Sequence, residues 1–188
     1  MLAKLYLVRH GETDLHTQGI MAGWENDPGL NAEGQRQAQA TAQQLADQSR
    51  QTRIGAIYAS PLPRARQTAE IINAVLKVPL VLEDDLRDIN IGDWNGQSVK
   101  QVFQSEIGRQ YMEDPVGVRL PDGEEITEVE ARVIPVVERI RRAPHEAAVI
   151  VSHLDVIQVI LTHYKGGSLH DLHRGPDIPT GGWQTLEM

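Results

Sequence analysis

The chain has 188 residues, enough for one domain with a sizeable core, and its 40% hydrophobic and 23% charged content is that of an ordinary soluble globular protein. It carries no cysteine, which excludes disulfides, cysteine-ligated zinc and cysteine-based catalysis. A formal net charge of −8 without a basic stripe argues against nucleic-acid partners; no apolar run is long enough for a bilayer, and Met1 to Arg9 lacks a signal-peptide layout, so a cytoplasmic location is the default expectation.

Leu2 to Val8, LAKLYLV, reads as a short buried strand ending in Arg9-His10-Gly11. Asp14 to Leu30 has glycines, a proline and no period, and reads as a loop. Asn31 to Gln48 reads as a helix with Asn31 as its cap. Ile54 to Ala59 is a second buried strand. Ser60-Pro61 then opens a helix to about Leu76, with proline in its first turn, and Pro79 to Leu82 is a third strand.

Beyond Glu83 the pattern loosens, with turns at Gly92 and Gly96 and one short helix over Ser98 to Ile107. Glu124 to Arg142 has helical apolar spacing, with Pro135 expected to bend it. Ala147 to Val151 is a fourth buried strand ending at Ser152-His153. Asp155 is a candidate cap for a helix over Val156 to Tyr164. Trp183 to Glu187 reads as an edge strand. Strands alternating with helices predict an α/β domain on a mostly parallel sheet, spanning residues 1–188 without a linker.

Ligands of open α/β sheets bind at the carboxyl ends of the strands. Arg9-His10, Ser60 to Arg64 and Ser152-His153 each follow a predicted strand, so a parallel sheet would gather two arginines and two histidines into an anion pocket. Helix starts after Ser60 and near Leu154 would add backbone N–H groups. Elsewhere, His163, His170 and His173 lack a metal-site pattern and read as surface residues, His145 as a turn residue, and Arg66 as surface. Trp24 and Trp94 suit either pocket lining or packing. Arg109, Tyr111 and Arg119 are candidate substrate contacts.

LYLVRHGET (5–13), SPLPRARQTAE (60–70), LRDINIGDWNG (86–96), PDGEE (121–125) and VSHLDVI (151–157) together resemble the histidine phosphatase superfamily, which includes cofactor-dependent phosphoglycerate mutases. The resemblance implies a three-layer αβα sandwich of the phosphoglycerate mutase type. It implies a phosphomonoester phosphatase with His10 as nucleophile, a phosphohistidine intermediate, and no metal or cofactor. Arg9, Arg64 and His153 would hold the phosphoryl oxygens, and Asp88 stands where phosphatases of this family usually place a glutamate acid, with Asp85 and Asp93 nearby as competitors. Thr13, His16, Ala22, Gly23 and Leu154 fall at substrate-side positions; His16 replaces a common Asn and is equally a pocket wall. Leu154-Asp155 stand where many members have two glycines.

A small phosphorylated metabolite is the expected substrate, without nucleic acid or membrane, and a homodimer is possible through the edge strand. A phosphoglycerate mutase is the first alternative, against which the short chain counts. A weakly active relative that binds phosphorylated ligands is the second; the presence of His10 and its flanking cations counts against it.

Overall fold

A computed structural model describes residues 2–175 and 177–188. Met1 and Pro176 lie outside the described residues, and with them part of the reading of Met1 to Arg9 and of the Gly175 to Trp183 segment.

In chain order the elements are β1 (Lys4–Arg9), α1 (Asp14–Gln18), α2 (Ala32–Ser49), β2 (Ile54–Ala59), α3 (Pro63–Leu76), β3 (Leu80–Leu82), α4 (Val99–Gln104), α5 (Glu106–Glu113), α6 (Ile126–Arg141), β4 (Ala147–Ser152), α7 (Leu154–Lys165) and β5 (Trp183–Glu187). The sheet runs β3-β2-β4-β1-β5. Its first four strands are parallel, and β5 takes the expected edge position, where it runs antiparallel to β1.

Side chains alternate across a strand, so each central strand supplies both layers. Leu5, Leu7, Ala148 and Ile150 face α6 and α7, packing with Val129, Val133, Val137, Ile157 and Ile160. Tyr6, Val8, Val149 and Val151 face α2 and α3, packing with Leu45, Ala65, Ala69 and Ile72. Every residue of β4 is buried, as befits a central strand covered on both faces. Each fully buried aliphatic side chain contributes about 1.5–3 kcal/mol of transfer free energy. The fold is therefore the predicted three-layer α/β sandwich.

Four local expectations need correction. The 14–30 segment is not wholly irregular: α1 forms over five residues, started by a capping box between Thr13 and His16. The helix expected over 98–107 is two, because Ser105 caps a new start by accepting from the Gly108 N–H at 3.1 Å. Helix α3 begins at Pro63 rather than at Ser60, with proline in its first turn. The N-cap of α7 is His153, not Asp155, whose side chain is engaged elsewhere. Helix α6 continues through Pro135, whose ring sits on the exposed face.

Parallel pairing carries past the strand ends. The His10 N–H donates to the Ser152 carbonyl at 3.0 Å, and the Ser60 N–H to the Val151 carbonyl at 3.0 Å. The ends of β1 and β2 are thus fastened to either side of β4, which brings His10, Ser60 and His153 to one edge.

Candidate active site

The turn after β1 is held from below. Glu12 accepts from the Asn31 amide at 2.9 Å through its side chain and from the Asn31 N–H at 3.0 Å through its carbonyl. The Gly11 N–H donates to Thr68 Oγ1 at 3.0 Å. A Cβ on Gly11 would lie 2.5 Å from the Gly34 carbonyl oxygen, and one on Gly34 would collide with Glu12. Only glycines let the turn and α2 approach this closely.

His10 is buried, with Nδ1 2.7 Å from the Gly11 carbonyl oxygen. A carbonyl can only accept, so Nδ1 carries the proton and Nε2 keeps its lone pair. Arg64 Nε donates to that Nε2 at 3.3 Å. Burial, the Arg64 charge, His16 and Arg9 hold His10 well below the ordinary histidine range, with the Gly11 contact opposing them. His10 is neutral at working pH.

Arg64, in the first turn of α3, is 1% exposed. It pairs with Asp27 at 2.6 Å and with Asp88 Oδ2 at 3.0 Å. It also donates to the Gly23 carbonyl at 3.3 Å. The Asp27 side chain is only 2% exposed. Arg9, at the end of β1, donates to the Ile178 carbonyl at 2.6 Å, leaving its Nε without a protein partner among the described residues.

His153 Nε2 lies 2.9 Å from Ser60 Oγ, and its Nδ1, unpartnered among the described residues, lies 3.5 Å from Asp88 Oδ2. Its ring centroid is 5.1 Å from that of His10. Burial and the arginine charges also keep His153 neutral.

Asp88 is pushed up to about 6, mainly by burial and further by the charge of Asp155, against the pull of Arg64. Its loop is clamped by Arg132, which donates to the carbonyls of Asp85, Arg87 and Asp88 at 2.6, 2.9 and 2.8 Å. Arg132 is itself gripped by Glu124 at 3.0 Å, and Glu124 also takes the Asn90 N–H at 2.7 Å.

A cavity of about 300 Å³ opens onto these groups, lined by Arg9, His10, His16, Ala22, Arg64, Asp88, Leu154 and Asp155 among others. His153 lies beside it. Thr13 and Gly23 do not reach the wall: Thr13 is buried beneath His16, 2.8 Å from its Nδ1, and Gly23 faces Asn95. His16 is held at about 4 by burial and the neighbouring arginines, so it enters the pocket uncharged. Asp85 and Asp93 are exposed and away from the cavity; the acids facing it are Asp88, which pairs with Arg64, and Asp155, which accepts from Tyr111.

Of the remaining candidates, Arg66 is exposed beside Glu70, and Arg119 is spent on Glu128 and Glu125 outside the pocket. Arg109 is exposed. Trp94 is buried in the core and Trp24 donates to the Asp88 carbonyl at 2.9 Å. His163 and His170 pair with Glu130 and Asp114 at the surface. His173, expected there too, instead packs on Tyr111 with ring centroids 4.9 Å apart.

Sequence reasoning missed Asp27, the buried counter-charge of Arg64, and the placement of Asp155 on the pocket wall. An Asp-Pro step at 27–28 signals a turn and nothing more.

The histidine phosphatase superfamily (branch 1) matches residues 5–188 as a family. The uncharacterized phosphatase PhoE of Bacillus subtilis is 35% identical over 162 residues, covering 86% of this chain and 77% of the relative. Phosphoserine phosphatase 1 of Hydrogenobacter thermophilus is 33% identical over 155 residues, covering 81% of this chain and 71% of the relative. The solved structure of Bacillus stearothermophilus YhfR superposes with a TM-score of 0.88 at 28% identity, covering 98% of this chain and 90% of that one. The chain spans about half, 47%, of some mycobacterial relatives that it also matches. Family match, fold and pocket agree: the chain belongs to the histidine phosphatase superfamily and is a phosphoric monoester hydrolase of that family.

Proposed function

We propose that the protein hydrolyses a small phosphorylated metabolite in two steps through phosphohistidine on His10, without a metal ion. The observation that carries this reading is the His10 tautomer: Nδ1–H is committed to the Gly11 carbonyl, and the Nε2 lone pair points at Arg64 in the cavity. In the first step Nε2 bonds to phosphorus as the bond to the ester oxygen breaks. Asp88 gives its proton to that oxygen, and the alcohol leaves. In the second step water bonds to phosphorus and the P–N bond breaks. The Asp88 carboxylate takes the water proton and is ready for another cycle.

Phosphoryl transfer needs positioning and charge stabilisation more than covalent help. Arg9 and Arg64 supply two fixed positive charges, and the neutral His16 and His153 can donate hydrogen bonds to phosphoryl oxygens. That charge supply supports a metal-free reaction. The amide of Leu154, at the start of α7, supports an added anion contact.

Hydrolysis of p-nitrophenyl phosphate in excess EDTA tests the reading. Wild type should turn over undiminished, and His10→Ala should lose at least about a thousandfold. Acid-labile, base-stable label should be trapped on the wild type and absent from His10→Ala. Inhibition by EDTA, or label that survives in His10→Ala, would overturn the mechanism.

A further inference from the structure

The phosphate cavity continues into a second one of about 220 Å³, sharing Met21, Ile89, Ile91, Leu154 and Asp155 with it. Its remaining wall includes Trp94, Phe103, Tyr111 and Leu120. No lysine or arginine lines it among the described residues. His173 reaches it, but burial lowers that histidine below its ordinary range, so it brings no positive charge at neutral pH. The charge it does meet is negative. Asp155 stands where the two cavities join, fixed by a 2.9 Å hydrogen bond from the buried Tyr111 hydroxyl, and Asp88 lines the phosphate side.

A monoester with its phosphate on Arg9 and Arg64 must send its leaving group past Asp88 and Asp155. A carboxylate or second phosphate there would meet the Asp155 carboxylate, and no lysine or arginine lines that cavity among the described residues. Like charges in a partly desolvated site disfavour binding strongly, whereas apolar walls favour a hydrocarbon body. Resting on the phosphatase reading above, we propose that this enzyme selects phosphomonoesters with an apolar leaving group free of negative charge, which occupies the second cavity, and that Asp155 is the specificity residue that rejects anionic leaving groups. On this reading phosphoglycerates, whose leaving group bears a carboxylate and no cation, are poor substrates, and so is phosphoserine, whose zwitterionic leaving group does not suit the apolar walls.

The test compares kcat/KM for 2-phenylethyl phosphate with that for 3-phosphoglycerate and O-phosphoserine, all alkyl monoesters that need a protonated leaving oxygen. Wild type should favour 2-phenylethyl phosphate by about a hundredfold. Asp155→Asn should cut that preference by about tenfold through a gain on 3-phosphoglycerate. Phe103→Ala, a partly exposed position, should cut it through a loss on 2-phenylethyl phosphate. A wild type that prefers 3-phosphoglycerate or O-phosphoserine while hydrolysing p-nitrophenyl phosphate would overturn the selectivity and leave the phosphatase reading standing. A preference unchanged in Asp155→Asn would remove Asp155 from it. Failure on every substrate, p-nitrophenyl phosphate included, would fall on the phosphatase reading itself.

Discussion

Asp88 and His10 need opposite protonation states at one pH. The nucleophile must be bare at Nε2, and the acid must carry a proton. Burial serves both, because it disfavours whichever form is charged. It lowers His10 and lifts Asp88 to about 6. In free enzyme the protonated acid is therefore lost as pH rises through about 6, and kcat/KM on an alkyl phosphate should fall about tenfold per unit above it. A bound phosphate dianion adds negative charge beside Asp88, so the same limb in kcat should lie at higher pH. Asp88→Asn should cost at least about a hundredfold on an alkyl phosphate and flatten both limbs. Its cost on p-nitrophenyl phosphate should be smaller, because nitrophenolate leaves without a proton. A limb that persists in Asp88→Asn would assign the acid to another group. His10, Arg9, Arg64 and His153 were legible because strand ends and motif spacing announce them. Asp27 and Asp155 were not, because each acquires its place only from a partner 37 or 44 positions away.

At the scale of elements, the strands and long helices could be read because their apolar periods match their geometry. The short α1, and the division of α4 from α5, could not. Each rests on a single cap, at Thr13 and Ser105, which competes with equally plausible turns. The loop from Leu82 to Val99 has no period at all, and its order comes from a distant arginine. Arg132 on α6 accounts for three of its carbonyls, and Glu124 holds Arg132. These are charge-assisted bonds with the Arg132 side chain only 15% exposed, so their loss has no full replacement from water. Arg132→Ala should lower stability by about 2 kcal/mol in urea unfolding. It should also free the Asp88 carboxyl to wander, reducing turnover of alkyl phosphates about tenfold with little loss on p-nitrophenyl phosphate. An equal loss on both substrates would mark Arg132 as a general support rather than a positioning residue for the acid.

Across the whole molecule, the buried site ties folding to pH. His10, His16, His153 and His173 are all lowered from 6.5 in the fold, whereas Asp88 and Asp155 are raised from 3.8. As pH falls below 6.5, the unfolded chain protonates its histidines while the folded chain resists protonation of these four, and stability declines. The two acids act with the opposite sign: the folded chain takes up their protons first, which adds stability as pH falls. Four histidines outnumber two acids, so the unfolded chain holds the excess of protons between about pH 5 and 6. The slope of stability with pH is then about +1.4 kcal/mol per unit for each net proton. Exposed Asp114, Glu128 and Glu138 are lowered by their ion-pair and hydroxyl partners. Their contribution has the same sign and is lost at still lower pH. Urea midpoints should therefore fall from pH 6 to pH 5 in the wild type. His16→Gln removes one of the four histidine terms without removing the nucleophile, and should reduce the slope over that interval by about 1.4 kcal/mol per unit while leaving it positive. A wild-type midpoint that rises on acidification would mean that the acids dominate the buried charge balance and that the histidines are less shielded than their burial implies.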